Sequence, residues 1–399
     1  MTNPSADDLP YSQASAAALA ALDLPRLRPR LAEQLGTLMA EPRVSGARRL
    51  ILTGSGDSLF AARAAAPALR RWSGLPVQVL TALEFARYEV ALLTPDDLVI
   101  GVSNSGSSSR TREAILLANA RGSLTLGVTG SLDGPLASLA GRMLHRPVQK
   151  PDTLPMHYRR VFLNMSEYLA TLLSLYELGL TLGEARGRLD GATLSHWRTG
   201  LDEALAALPG VSRALEPRIR QLARGFSGLD TLWVLGAGPS RGSAEYSAAK
   251  CHEQLPLNGI PQDLEEWAHL QYFLTLSWGW RSTVLVLAPP GNSLDRAVEL
   301  VTGIIDAGGR ALVASYPTGA DFSGATALLP VAAEVDELLS PILYHLPTQL
   351  LVLYLAEQAG VSHIPLGRKD NYWLIRGGLV RDDPTGRDWR GWSATPPKR

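Results

Sequence analysis

One loop occurs twice in this chain, 182 residues apart, and that duplication constrains the fold more than any other feature. Gly54, Gly56 and Ser58 recur as Gly236, Gly238 and Ser240. Each copy follows a short apolar run (residues 50–52 and 232–235) and precedes an Ala- and Ser-rich stretch with helical character. Further apolar runs at 77–80, 98–102 and 124–128 alternate with helical segments such as 113–120, and runs at 284–288 and 311–314 hold the same order in the second half. Strands alternating with helices build a parallel sheet covered on both faces. A repeated order of this kind predicts two α/β domains in tandem, each a doubly wound, flavodoxin-like parallel sheet.

The boundaries follow from composition shifts. A helical lead-in is expected over residues 1–45, with an Ala/Leu face of Ala16, Leu19, Leu22, Leu27, Leu31, Leu35 and Leu38, broken at Pro25, Pro42 and Gly46. The first domain is placed at 46–185, connecting helices and the second domain at 186–365, and a docked tail at 366–399.

The chain has 399 residues, and its 38 Lys and Arg balance 38 Asp and Glu, which gives no electrostatic reason to expect nucleic acid or an anionic membrane as partner. The single cysteine, Cys251, excludes an internal disulfide, a Cys-rich zinc site and a Cys-x-x-Cys pair. The start of the chain is acidic and lacks the basic and apolar regions of a signal peptide, and the apolar stretch 338–356 is interrupted by Pro341, His345, Pro347 and Gln349. A cytoplasmic protein is the expectation.

Chemistry concentrates in two places. Ser103-Asn104-Ser105-Gly106-Ser107-Ser108-Ser109 runs from a strand straight into a helix, where free N–H groups and the helix dipole favour an anion. Its hydroxyls can donate to several phosphate oxygens, and Ser58 is expected to face the same crevice. A solvated serine turn with an N-cap is the plainer alternative. Neither glycine loop carries a dinucleotide fingerprint or a Walker lysine, which argues against NAD and ATP. The second place is 245–269, where Glu245, Lys250, His252, Glu253, Asp263, Glu265, Glu266 and His269 crowd together. Lys250 and Glu253, three apart, share a helix face and can pair, and a Glu with a His suits proton transfer at a sugar. A solvated charged helix is the alternative, and Cys251 reads as a packing residue.

These residues resemble the tandem sugar isomerase (SIS) domain family, which includes the isomerase half of glucosamine-6-phosphate synthase, ketose/aldose-phosphate isomerases and amino-sugar-phosphate deaminases. Ser103-Asn104-Ser105-Gly106-Ser107-Ser108 matches the family's Ser-Gln-Ser-Gly-Glu-Thr phosphate loop, Lys250-Cys251-His252-Glu253 its Lys-x-x-Glu, and Glu265-Glu266-Trp267-Ala268-His269 its Gly-Glu-Leu-Lys-His. The resemblance implies that Ser58, Ser103, Asn104, Ser105 and Ser108 bind the phosphate of a sugar. It further implies that Glu253 shuttles a proton between C1 and C2 through an enediol or enamine, and that Lys250 stabilises the developing charge. His269 would open the ring from a neighbouring subunit, implying a homodimer. No metal or organic cofactor is implied. Two departures stand out: Arg376 occupies the place of a family lysine near the carboxyl end, and residues 152–157 replace a sugar-lining Ala-Ser-Thr-Lys segment. Because Cys251 is the only cysteine and the chain starts Met1-Thr2, no built-in glutaminase is expected. Two functions follow: a phosphosugar isomerase or amino-sugar-phosphate deaminase acting on a hexose or hexosamine 6-phosphate, or a non-catalytic phosphosugar sensor. A purely structural protein leaves the serine loop unexplained.

Overall fold

The computed structural model describes residues 13–149, 156–226, 228–317 and 320–360. The first unit is a five-stranded sheet of β1 (Arg49–Gly54), β2 (Val77–Thr81), β3 (Asp97–Val102), β4 (Leu124–Thr129) and β5 (Arg142–His145), in the order β2-β1-β3-β4-β5. The second holds β6 (Thr231–Leu235), β7 (Asn258–Gln262), β8 (Thr283–Ala288), β9 (Arg310–Ser315) and β10 (Ala327–Pro330), ordered β7-β6-β8-β9-β10. Every pairing is parallel, and the two orders are the same, so the duplication extends to topology. β3, β4 and β8 are buried along their whole length, which is why they read as continuous apolar runs rather than alternating ones. This confirms the expected fold class. The edge strands β5 and β10, four residues each, were not legible in the sequence.

The main helices are α1 (Gln13–Met39), α2 (Asp57–Ser73), α3 (Ser109–Ala120), α4 (Met156–Ala185), α5 (Gly191–Gly225), α6 (Pro239–Gln254), α7 (Leu294–Asp306) and α8 (Leu346–Gln358). One continuous core joins α1, α2, α4, α5, α6 and α8 with the inner faces of both sheets. Smaller apolar clusters lie under the outer helices of each unit.

Two expectations about the lead-in need correction. α1 does not break at Pro25 but runs through Pro25 and Pro29. Both prolines are exposed and four apart, so the carbonyls whose helical bonds they remove lie on the solvent side and water can satisfy them. The opposite side buries Leu24, Leu27, Leu31, Leu35 and Leu38 in the shared core, so α1 is an integral layer of the fold. Leu22, expected on the buried face, is exposed.

The two units meet along α2 and α6, the helices that follow the duplicated loops. A Cβ on Gly242 would lie 2.4 Å from the Ala64 nitrogen and 2.5 Å from the Phe60 oxygen, so the backbones touch and no larger residue fits. Beside this crossing Arg63 pairs with Glu245, residues that correspond under the 182-residue offset. The segment Glu337–Gln358 is long and apolar enough to cross a membrane, but 94% of its apolar 18-residue window is buried inside the protein, where it serves as core.

Candidate functional site

In the first unit Gly54, the last residue of β1, pairs with Val102, the last of β3. The loops that follow therefore leave the sheet side by side where the strand order changes direction, the usual place for a ligand in such folds. Ser103 is buried, and its N–H donates to the Val128 carbonyl (3.0 Å). Gly106 has φ 64° in a tight turn in which its N–H donates to the Ser103 carbonyl (3.1 Å); a Cβ there would lie 3.2 Å from Gly134 Cα. Ser105 is exposed, with its Oγ accepting from the Ser107 N–H (3.3 Å). Ser108 stands just before α3 in extended conformation, and its hydroxyl accepts from Thr111 Oγ1 (3.2 Å). The Ser109 hydroxyl is buried with no hydrogen-bond partner among the described residues. Asn104 is held most firmly: its carbonyl accepts from the Gly130 N–H (2.9 Å) and Thr129 Oγ1 (3.1 Å), and its Oδ1 from Arg146 Nη1 (3.1 Å). Ser58 lies in the first turn of α2, its Cβ beside Gly54.

The second unit reaches this crevice through α6. Lys250 is fully buried, and its Nζ donates at 2.7 Å to Glu253 Oε2 on the next turn and at 2.7 Å to Asp57 Oδ2 at the start of α2. Asn164 Nδ2 on α4 also donates to Glu253 Oε2 (3.3 Å). Burial alone would lower the Lys250 pKa, but the charges of Asp57 and Glu253 outweigh it and hold the ammonium above its ordinary value. Asp57 is pushed above the carboxylate range by burial, against the pull of Lys250 and with the added repulsion of Glu253. The Tyr246 ring lies 4.7 Å from Nζ, adding a cation–π contact. Beneath it Tyr168 stacks on Tyr246 at 3.9 Å, Gln349 donates to the Tyr246 hydroxyl (2.8 Å), and the buried His345 meets both rings edge-on. Burial drives the His345 imidazole down to about 4. Cys251 is buried and its thiol is pushed up to about 12, which makes it inert.

Thus the structure brings Lys250 and Glu253 to the end of α2 that carries Ser58, next to the serine loop. It does not bring His269 there. His269 lies in a π-helical turn, Trp267–Gln271, 71% exposed, with its Nε2 3.1 Å from Glu265 Oε1. Glu265 is pulled below its usual range by the Arg296 guanidinium, with a further contribution from His269. A matching π-helical turn, Phe85–Glu89, stands in the first unit. Asp57 was missed in the sequence because its partner lies 193 residues away. Arg146 was missed as well, although it directly follows β5. Arg376, the tail and residues 152–155 lie outside the described residues, as do the side chains of Met156 and His157. Among the described residues no three His, Cys, Asp or Glu are grouped to hold a metal ion.

The equivalent crevice of the second unit is filled from within. The Glu337 carboxylate accepts from the Asn292 N–H (3.1 Å) and Nδ2 (2.9 Å), and a Cβ on Gly291 would overlap it at 2.2 Å. On the other side, a Cβ on Gly238 would be 3.9 Å from Glu337 Oε1. A carboxylate of the chain itself thus sits between the two loops of the second unit. A cavity of about 600 Å³ next to it is lined by Arg71, His196 and Trp197 among others.

The tandem pair of parallel α/β units is a fold shared with solved phosphosugar-isomerase structures. The SIS domain family model matches residues 44–176, so the first unit is a SIS domain, as its serine loop led us to expect. The glutamine–fructose-6-phosphate aminotransferase (isomerizing) of Gloeobacter violaceus is 29% identical over 315 residues, which are 79% of this chain and 50% of that protein. The chain therefore spans about half the length of the curated relatives it matches. Among solved structures, the C-terminal domain of glucosamine-fructose-6-phosphate aminotransferase from Francisella tularensis superposes with a TM-score of 0.76 at 15% identity, covering 91% of this chain and 99% of that one. The tagatose-6-phosphate ketose/aldose isomerase of Escherichia coli gives 0.65 at 16% identity, covering 87% and 91%. These superpositions extend the shared fold across both units.

Proposed function

We propose that this chain is a phosphosugar enzyme that moves a proton between C1 and C2 of a hexose or hexosamine 6-phosphate, and so isomerises an aldose and a ketose or, where water then hydrolyses the resulting imine, releases the amine as ammonia. The observation that carries the reading is the pair of 2.7 Å contacts from Lys250 to Asp57 and Glu253, which ties the acid/base residues of one unit to the anion crevice of the other. The sugar phosphate sits on Ser103, Asn104, Ser105 and Ser108 at the amino end of α3, with Ser58 closing the crevice from α2. Glu253, partly exposed beside the buried ammonium, removes the proton from C2 and returns it to C1, or the reverse. Lys250 stabilises the enediolate or enamine formed between these steps.

His269 completes the site from a second copy of the chain. The support for this is its exposure together with an apolar row on the same stretch, Leu270, Phe273, Leu276 and Trp280, all more than half exposed. Sedimentation is expected to give a dimer that Phe273→Asp converts to an inactive monomer; a wild-type monomer with full activity would remove His269 from the mechanism.

The function is tested by incubating the protein with hexose and hexosamine 6-phosphates in D2O and following loss of the C2 proton signal by NMR. Exchange is expected for the substrate and is lost in Glu253→Gln. Exchange that persists in this variant overturns the assignment of the base, and binding without exchange across the panel identifies a sensor.

A further inference from the structure

Arg146 is a buried charged group that this mechanism leaves unused. It is fully buried, and its Nη1 donates to Asn104 Oδ1 while its Nε and Nη2 have no hydrogen-bond partner among the described residues. Burial lowers its pKa to about 10, with the Glu167 charge acting against that shift. A guanidinium with two unmet donors is costly to bury unless something completes it.

What Arg146 does to Asn104 is specific. The Asn104 carbonyl is already engaged by Gly130 and Thr129, and a Cβ on Gly130 would lie 2.7 Å from Oδ1, so the amide is held against that backbone. With Oδ1 committed to a cationic donor, the Nδ2 group is the face left to the crevice. An amide free to flip would present its oxygen to a phosphate half the time, and oxygen repels a phosphate.

We propose that Arg146 is a positioning residue for phosphate recognition: it locks the Asn104 amide with its donor toward the ligand and backs the loop with a buried cation. The inference rests on the serine loop being the phosphate site. It makes the site selective for a phosphorylated sugar over its unphosphorylated counterpart, because only the phosphate receives the Nδ2 donor and balances the buried charge.

The test measures binding of inorganic phosphate and of the best hexose 6-phosphate by calorimetry, alongside kinetics. Arg146→Met is expected to weaken both ligands by about 10-fold to 100-fold, the usual range for a charge-assisted hydrogen bond. KM for the phosphosugar rises correspondingly while kcat stays within about threefold, since nothing changes at C1 and C2. Arg146→Lys, which keeps the charge but loses the fork, recovers part of the affinity. In an Asn104→Ala background Arg146→Met then costs less than about threefold, as expected for a residue that acts through Asn104. Should Arg146→Met not fold, Arg146→Lys in the two backgrounds gives the same comparison. Phosphate affinity unchanged in the Arg146 variants while Asn104→Ala loses it overturns the proposal and leaves the phosphate site standing. Equal losses in both backgrounds, or a drop in kcat at unchanged KM, also overturn it. A wild-type protein that binds neither ligand overturns the site itself.

Discussion

Asp57→Asn probes the contact that joins the two units at the candidate site. The ammonium of Lys250 has no solvent to fall back on, and its two counter-charges stand at equal distances of 2.7 Å. At that separation each pair is worth about 6 kcal/mol before desolvation, taking an effective dielectric constant near 20. Burying the ammonium costs several kcal/mol, so one carboxylate roughly balances it and the second provides the surplus. Asn at position 57 keeps the shape and one accepting oxygen but removes that surplus. Part of it is already offset, because burial and the Glu253 charge hold Asp57 above its normal range. The net loss is therefore about 2 kcal/mol, below the 3–5 kcal/mol typical of a buried charge left wholly unpaired. Urea unfolding followed by tryptophan fluorescence should show it as a lower midpoint at unchanged slope. Deuterium exchange at C2 should slow by about tenfold, because among the described residues Glu253 becomes the only counter-charge of Lys250 and gives up its electron pair less readily. A variant with wild-type midpoint and wild-type exchange would falsify the claim that Asp57 supports the acid/base pair.

Two further predictions concern groups away from the reacting atoms. His345 is neutral in the folded chain down to about pH 4 but takes up a proton near pH 6.5 when unfolded, so stability falls as pH drops between these values, by about 3 kcal/mol in all. In His345→Gln that part of the acid dependence should vanish; denaturation midpoints at pH 7 and pH 5 that fall equally in both proteins would refute it. Glu337→Ala empties the crevice of the second unit and frees the Asn292 donors. Calorimetry should then count two phosphate ions per chain in place of one, and an unchanged count would mean that the second loop has no affinity of its own.

How much was legible depended on the distance over which a pattern acts. Strands β1, β3, β4, β6, β8 and β9 announced themselves because burial on both faces demands unbroken apolar runs, whereas the four-residue edges β5 and β10 are too short to carry a period. Spacing along one helix sufficed to foresee the Lys250–Glu253 pair. Pro25 misled, because a proline's effect depends on whether its face of the helix is wet, and that is settled by what α1 packs against.

The sequence by itself determined the duplication, the parallel α/β class, the serine loop at the start of α3 and the lysine and glutamate on one face of α6, all of which are set within a single element or by its repetition. Tertiary structure decided which unit serves which. Only the crossing of α2 and α6 at Gly242 brings Asp57 to Lys250, only the β4–β5 edge brings Arg146 under Asn104, and only the packing of residues 337–342 puts a carboxylate into the second crevice. Each of these is an electrostatic contact between elements far apart in the chain, and such contacts depend on positions that no local period encodes.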